Sequence, residues 1–230
     1  MTHSIYMTLA ATGNTGKTTI ARHVLASATD GALSTLETRS ASGEETDATD
    51  RDGLAARLFA PPPPSGLVLD VGVGDAVDAI EALALVSRQD GSLAARLRIV
   101  VPMLPDSKSV AGLRWLLGQL PEKLRATVRA AWNRVRDEVA VRDSDIARAA
   151  RAVVRQTGAR LCVPVIHESP LFDPAHPLIR RYGSLASVAG IADDEIRAAS
   201  LRDMPSMLSG RDAAQAAVAD CRAVFAAINE

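Results

Sequence analysis

The sequence lacks the features that mark several common protein classes. It contains two cysteines in 230 residues, Cys162 and Cys221, and neither has the spacing that a metal site requires. Both lie in apolar or helical stretches, so we expect buried thiols in a reducing compartment. No apolar run is long enough to span a bilayer. A strand pattern and a glycine-rich motif begin within the first residues, where a cleaved signal peptide would remove them, so we expect a cytoplasmic protein.

An excess of charge of either sign is also absent. Lysine and arginine number 26 and aspartate and glutamate 27, which gives a formal net charge of -1. The molecule as a whole is therefore no obvious polyanion binder, and a contact with nucleic acid needs a local basic patch. Apolar residues make up 47% of the chain, well above the range of disordered proteins. We predict that residues 1–230 form a single domain with a sizeable core.

A glycine-rich motif, ATGNTGKTT at residues 11–19, organises the chain. It follows a predicted strand at 5–10 and precedes a predicted helix at 18–28. Strand, glycine-rich turn and helix are the context of a phosphate-binding loop. Gly13 and Gly16 allow the backbone to curl, so that successive amide N–H groups and the positive end of the helix face one anion. The alternative interpretation is an ordinary glycine turn followed by an incidental lysine.

Two side chains of the motif have chemistry that suits a nucleoside triphosphate. Lys17 can reach the β- and γ-phosphates, and the Thr18 hydroxyl can ligate Mg²⁺, which prefers oxygen. The usual pattern has glycine six residues before the lysine, where this sequence has Ala11. The residues expected to contact the nucleotide through this motif are Thr12, Gly13, Asn14, Thr15, Gly16, Lys17, Thr18 and Thr19.

A carboxylate is predicted at the same edge of the sheet. The continuous apolar run at 66–72 fits a buried parallel strand, and Asp70 lies near its end. The carboxyl ends of parallel strands form the edge at which open α/β sheets bind ligands. We therefore predict that Asp70 supports the Mg²⁺ site, with a turn or helix cap as the alternative.

A polar, acidic segment follows the second predicted strand. That strand covers residues 33–37, and the segment at 38–53 contains almost no large apolar side chain. We predict a mobile loop there. Nucleotide-dependent switches often occur in this position, and a solvated acidic loop is the other interpretation.

Buried strands alternate with helices along the rest of the chain. Further strands are predicted at 98–102, 127–132 and 161–165. Helices are predicted at 53–60, 75–87, 106–120, 143–156, 194–200 and 211–228, and residues 172–230 are mostly helical. Asp106 or Ser107 and Asp143 or Ser144 are the expected caps, and Gly158 is an expected stop. This alternation predicts an α/β fold with a mostly parallel sheet and helices on both faces.

Together these motifs resemble those of the ParA/MinD family of P-loop ATPases, and most closely its plasmid StbB branch of partition and conjugation accessory proteins. The resemblance spans roughly residues 5–165 and rests on four segments. These are GNTGKTT at 13–19, Glu37 at the end of the second strand, LDVG at 69–72 and NRV at 133–135. The resemblance implies a P-loop NTPase fold that binds ATP and Mg²⁺.

The resemblance also implies roles for individual residues. Lys17 would contact the ATP phosphates, and Thr18 would hold Mg²⁺ with the support of Asp70. Glu37 would support water or metal, which completes a catalytic set of Lys17, Glu37 and Asp70. Asn133 would touch the adenine, with a strand-end cap as the alternative.

Two positions depart from the family pattern, and a third bears on the choice of nucleotide. Most ParA-type loops carry a second lysine that reaches the partner's phosphates in a dimer, and this sequence has Thr12 there. Arg39 stands where a water-positioning carboxylate is usual. We therefore expect slow ATP turnover, or binding without turnover. Guanine specificity would need an aspartate at the position of Arg136, so we expect ATP in preference to GTP.

One helix face and one loop are further candidates. Arg148, Arg151 and Arg155 recur at helical spacing, and ParA-type proteins bind DNA non-specifically through dispersed basic residues. A solvated helix face is the alternative. His167 and Glu168 lie in a proline-rich loop that could line a base pocket, but they do not have the spacing of a metal site.

The sequence therefore predicts a ParA/MinD-like ATP-binding protein that acts as a slow ATPase switch in plasmid partition, stability or conjugation. A homodimer and a partition or conjugation protein are the expected partners. The C-terminal part has no basic, aromatic face of the kind that anchors a helix to a membrane. Two other functions fit the same scaffold: an ATP-binding adaptor that does not hydrolyse, and a small-molecule transferase or synthetase.

Overall fold

A six-stranded parallel sheet lies at the centre of the computed structural model, which describes residues 5–29, 32–36 and 51–230 and gives only the backbone of 32–36. The strand order is β2-β3-β1-β4-β5-β6, and every neighbouring pair is parallel. The strands are β1 (Ile5–Thr8), β2 (Ala32–Leu36), β3 (Leu67–Val71), β4 (Leu97–Met103), β5 (Val128–Trp132) and β6 (Arg160–Leu161).

The central strands are buried on both faces, which explains why they appear in the sequence as continuous apolar runs. Ile5 and Met7 of β1 belong to one hydrophobic cluster, whereas Tyr6 between them belongs to another on the opposite face. Helices cover both faces. The predicted α/β architecture with a parallel sheet between two helical layers is therefore confirmed.

The helices occur close to their predicted positions. They are α1 (Lys17–Thr19), α2 (Ser27–Thr29), α3 (Arg51–Phe59), α4 (Ala76–Gln89), α5 (Leu93–Arg96), α6 (Ser107–Gln119), α7 (Glu122–Arg125), α8 (Glu138–Arg142), α9 (Asp145–Thr157), α10 (Pro177–Tyr182), α11 (Leu185–Ala189), α12 (Asp193–Ala198) and α13 (Met204–Asn229). Asp106 caps α6 by accepting from the Ser109 amide, and Ser144 caps α9 in the same way. Gly158 ends α9 in a left-handed conformation, as predicted.

The first helix differs from the prediction in its winding. Residues 17–29 are helical throughout, but the central seven, Ile20–Ala26, form a π-helical segment between α1 and α2. Long π-helical stretches are rare and are found mainly near functional sites. The sequence pattern, which records only which face is apolar, did not reveal this segment.

Three predicted boundaries were wrong. The last helix was expected at 211–228, but α13 begins at Met204. The last strand was expected at 161–165 but contains only Arg160–Leu161, because Pro164 has no N–H to donate and the ladder is interrupted. The chain still follows β5, since the Ile166 amide donates to the Trp132 carbonyl. The predicted loop at 38–53 ends earlier than expected, because α3 begins at Arg51; residues 37–50 lie outside the described part of the chain.

The C-terminal helices add a third hydrophobic cluster beside the sheet. Leu171, Leu185, Val188 and Met207 are among its buried members, and Phe172 packs against both this cluster and the one on the sheet. The end of α13 instead covers the sheet itself. Within the described residues, no helix is long and apolar enough to cross a membrane.

Candidate functional site

The glycine turn, residues 11–16, connects the end of β1 to α1 at the carboxyl edge of the sheet. Two of its residues have positive φ angles, Asn14 at 59° and Gly16 at 81°. Asparagine and glycine are the residues that adopt this conformation at least cost. Gly13 was expected to need the same freedom, but its φ is not positive and a Cβ there would meet no atom within 4 Å.

Gly16 is fixed by a close contact with the end of β5. A Cβ at this position would lie 2.0 Å from the Asn133 side-chain nitrogen. That nitrogen donates a hydrogen bond to the Thr15 carbonyl at 2.9 Å, and Asn133 has no exposed surface. The role implied for Asn133 was contact with adenine. In this structure the Asn133 side chain is hydrogen-bonded to the main chain of the turn. This contact is close to the alternative role of a strand-end cap.

Several polar groups of the turn have no hydrogen-bond partner among the described residues. No backbone hydrogen bond uses the amides of Gly13, Asn14 or Gly16 as a donor within the described residues. The Thr15 hydroxyl is also without a partner, although it is buried. Buried polar groups are normally paired, and clustered amides at the start of a helix form a concave site for an anion. The turn therefore has the donors that a phosphate group requires.

Asp70 at the end of β3 links the sheet to the start of α1. One carboxylate oxygen accepts from the Thr18 hydroxyl at 2.7 Å, and the other accepts from the Thr8 hydroxyl at 2.6 Å. The Asp70 side chain is 2% exposed and forms no ion pair in the described part of the chain. A buried carboxylate without a cationic partner is costly, so a cation bound near Thr18 would relieve this cost.

The remaining residues of the motif lie around the same point. Lys17 begins α1 and is half-buried. Thr12 lies beside α6, because a Cβ built on Gly112 would be 3.6 Å from its methyl group. Thr19 faces a neighbouring pocket. Glu37, the third member of the implied catalytic set, lies outside the described residues, so its role stays a prediction.

A pocket of about 730 Å³ opens beside Thr19, in the helix that follows the turn. Thr19 lines one side, Arg134 after β5 lines another, and the loop after β6 completes it with Glu168 and Phe172. Arg136 donates a hydrogen bond to Glu168 at 2.5 Å and holds the pKa of that carboxyl below its usual value. The pocket thus contains an aromatic ring, a cation and an ionised acceptor. This set of groups can hold a planar heterocycle.

Some members of this site were not identified from the sequence. Thr8 is part of the β1 run and appears there as an ordinary strand residue, but its hydroxyl anchors Asp70. Arg134 adopts a positive φ of 55°, which is unusual for arginine and marks a tight turn after β5. The only available signal was its place beside Asn133 in the NRV segment. Phe172 lies 40 residues beyond the end of β5 in the chain and gave no local signal.

The site suits a magnesium nucleotide better than a metal held by protein alone. No group of three or more histidine, cysteine, aspartate or glutamate side chains could hold a metal ion within residues 5–29 and 51–230. Mg²⁺ usually keeps several waters and binds through one or two protein oxygens together with substrate phosphates. The Thr18 hydroxyl and the nearby Asp70 carboxylate fit that mode of binding.

The three predicted DNA-binding arginines share a face of α9, but two of them already have partners. Arg148 is paired with Asp145, and Arg151 donates to the Arg142 carbonyl at 2.8 Å. Arg155 is exposed near the end of the helix. The Arg148–Asp145 pair therefore offsets one positive charge of this face, whereas Arg151 and Arg155 keep theirs.

Both cysteines are buried free thiols, as expected. Burial raises the pKa of each to about 12, so neither forms a thiolate at neutral pH.

Comparison with known proteins adds no family assignment. No protein-family model matches the chain, and no curated protein shows significant sequence similarity to it.

Proposed function

We propose that this protein binds ATP with Mg²⁺ at the glycine turn and acts as a slow nucleotide-dependent switch of the ParA/MinD type. The relationship between Thr18 and Asp70 is the main support. A threonine hydroxyl at the start of a helix is bonded at 2.7 Å to a buried carboxylate from the neighbouring strand. The turn before that helix has three amides that donate no backbone hydrogen bond within the described residues. Phosphate and hydrated magnesium are the ligands whose chemistry matches these two sets of groups.

The strand arrangement supports the same proposal. β1 lies between β3 and β4, so the turn that follows it lies near the middle of the carboxyl edge of the sheet. Asp70 lies at the end of the neighbouring strand β3. This is the arrangement expected of a P-loop NTPase. A plasmid partition, stability or conjugation complex in the cytoplasm is the setting that the motif resemblance suggests for the switch.

Bound Mg²⁺ would neutralise phosphate charge, and the residues of this chain would position it. The Thr18 hydroxyl would be a metal ligand, and Asp70 would accept a hydrogen bond that orients it. The amides of the turn would hold the phosphates, and Lys17 would add a positive charge. The pocket lined by Arg134, Glu168 and Phe172 would accept the base.

An adaptor that binds ATP without hydrolysing it is the second candidate. Thr12 supports it, because its side chain lies against α6 and carries no charge that could reach a second nucleotide. Without such a cation, transition-state stabilisation across a dimer is lost. Steady-state phosphate release, measured with and without DNA, separates the two candidates: a switch turns over slowly, and an adaptor does not turn over.

Calorimetric titration with ATP in millimolar MgCl₂ tests the binding site itself. We expect Lys17→Ala to weaken binding at least about tenfold, because a charge next to the phosphates is lost. Lys108→Ala removes an exposed lysine of α6 and serves as the matched control. Absence of binding by the unmodified protein, or equal binding by both variants, would refute the proposal.

Magnesium dependence tests the role of Asp70. The ratio of the dissociation constants in EDTA and in MgCl₂ should be large for the unmodified chain and approach one in Asp70→Asn. Asp212→Asn changes an exposed carboxylate of α13 and should leave the ratio unchanged. A ratio that is the same in all three proteins would show that Asp70 does not support the metal.

A further inference from the structure

A second cavity, of about 520 Å³, lies between the helix that follows the glycine turn and the C-terminal helices. Arg22 and His23 of the π-helical segment line one side of it. Phe172, Leu185 and Val218 line the other. None of residues 11–19 contributes to its wall, so it is separate from the nucleotide site. Its volume falls within the range of small-molecule sites in proteins.

The charge of this cavity is positive and unbalanced. Arg22 and Arg222 both line it, and no aspartate or glutamate among the described residues does. Neither guanidinium forms an ion pair or hydrogen bond with the described part of the chain, and Arg222 is exposed on α13. Two cationic side chains that line one cavity, with no acid from the described residues in its wall, favour an anionic ligand.

The rest of the wall is apolar or neutral. The rings of His23 and Phe172 pack with centroids 5.4 Å apart at 50°. Burial, together with the neighbouring Arg22, lowers the pKa of His23 to about 4, so the imidazole is uncharged at neutral pH. Cys221 also lines the cavity and stays a protonated thiol. These neutral groups can pack against the apolar part of a ligand. None of them can form an ion pair with a further charged group on that ligand.

We propose that this cavity is a binding site for a small organic anion, an aromatic or aliphatic acid whose apolar body packs against Phe172 and Leu185 and whose acidic group pairs with Arg22 and Arg222. The assignment follows from size, apolar lining and charge together. A ligand of this class fills an enclosed space, whereas a protein or nucleic acid surface needs an extended interface.

The test uses two fluorescent probes that differ in charge. The first, 8-anilinonaphthalene-1-sulfonate, carries an acidic group on an aromatic body, and the second, N-phenyl-1-naphthylamine, has the same body without the charge. We expect the sulfonate to bind the unmodified protein about tenfold more tightly, since two partly exposed ion pairs together are worth about that factor. In Arg22→Ala/Arg222→Ala the two probes should bind equally.

A second variant tests location rather than charge. Ala186→Trp places a large side chain in the cavity from an exposed position of α11, so the fold should tolerate it. Both probes should then bind at least about tenfold more weakly. Arg114→Ala and Ala216→Trp alter exposed residues outside the cavity and are the matched controls.

Neither probe needs bound nucleotide, so the result of this test does not depend on whether the glycine turn binds ATP. Sulfonate binding that is unchanged in both cavity variants, or reduced equally in the controls, would overturn the proposal. So would equal affinity of the unmodified protein for the two probes. Dye binding to each variant is measured at the same number of degrees below its thermal unfolding midpoint. Binding of dye to the unfolded chain is thereby excluded.

Discussion

The side-chain amide of Asn133 donates a hydrogen bond to the main-chain carbonyl of Thr15, 2.9 Å away and 118 positions earlier in the chain. The contact joins the end of β5 to the turn after β1, across the end of the strand that lies between them. It also occupies the space in which a side chain at Gly16 would have to lie. The shape of the glycine turn is therefore set partly by a distant residue.

Replacement of Asn133 should destabilise the protein. Asn133→Ala leaves the buried Thr15 carbonyl without this donor and opens a small cavity, at a cost of about 1–3 kcal/mol in the free energy of unfolding. Asn133→Asp keeps the shape but places a carboxylate against that carbonyl, so it should cost at least as much. Urea denaturation measures both. Unfolding curves that overlay that of the unmodified protein would show that the contact is not stabilising.

The two roles of Asn133 differ in their effect on ligands. If Asn133 braces the turn, Asn133→Ala should weaken the binding of ATP and of inorganic tripolyphosphate by similar factors. If Asn133 contacts adenine, only the binding of ATP should weaken, because tripolyphosphate has no base. Calorimetry with the two ligands distinguishes them, and we expect parallel losses.

Gly16 should tolerate substitution less well than other glycines. Gly16→Ala combines a positive φ with a Cβ at 2.0 Å from Asn133, so the turn must move. We expect a loss of about 2 kcal/mol or more in the free energy of unfolding, together with loss of nucleotide binding. Gly118→Ala is the control, since this glycine lies in α6 with open space around it and should gain up to about 1 kcal/mol.

Stability should fall in mild acid because of His23. The pKa of His23 is about 4 in the folded protein, whereas that of an unperturbed histidine is 6.5. As the pH falls, His23 therefore becomes protonated in the unfolded chain at a higher pH than in the folded protein. The contribution is constant above pH 6.5 and is lost as the pH falls from there towards 4. The slope is at most about 1.4 kcal/mol per pH unit.

Comparison with His23→Gln isolates this contribution. Urea midpoints between neutral pH and mild acid should decline less steeply for the variant, since glutamine does not titrate. His176→Gln, which alters the side chain that caps α10, is a control for general effects of histidine replacement. A variant at position 23 with an unaltered pH profile would contradict the burial of this imidazole.

DNA retention should depend weakly on the α9 arginines. In Arg148→Ala/Arg151→Ala/Arg155→Ala the salt slope of DNA binding should fall by about one to two units, because two of the three guanidiniums already have protein partners. Filter binding over a salt series measures the slope. A control triple removes exposed arginines from other helices, namely Arg88, Arg114 and Arg197. Identical slopes for the two triples would end the hypothesis that α9 binds DNA.

The sequence predicted the sheet well because its central strands are buried on both faces. Runs such as Leu67–Val71 have no solvent-exposed face, and their mostly apolar composition identifies them. Caps were predictable for the same local reason: Asp106, Ser144 and Gly158 act within one helical turn of themselves. The placement of Asp70 beside Thr18 followed from the general property that parallel strands end at one edge.

What could not be predicted depends on contacts between distant segments. Asn133 stands at the correct strand end, but whether its amide points outward to a ligand or inward to Thr15 is decided by packing under the turn. The pocket beside Thr19 is lined by Phe172, which belongs to a segment whose sequence shows no strand or helix pattern. The π-helical conformation of Ile20–Ala26 leaves the spacing of apolar residues nearly unaltered. The hydrophobic periodicity of the sequence therefore could not distinguish it from an α-helix.

The hydroxyl of Tyr6 donates to the side chain of Asn229 at 2.8 Å, which brings residues from opposite ends of the described chain together. During synthesis, the sheet face that carries Tyr6, Val68 and Val100 has no cover from α13 until Cys221 to Ile228 have left the ribosome. At ordinary translation speeds this takes about 10 s or more after β3 has emerged. Over that interval the nascent protein exposes an apolar surface, so a chaperone that shields it would raise the yield of folded molecules.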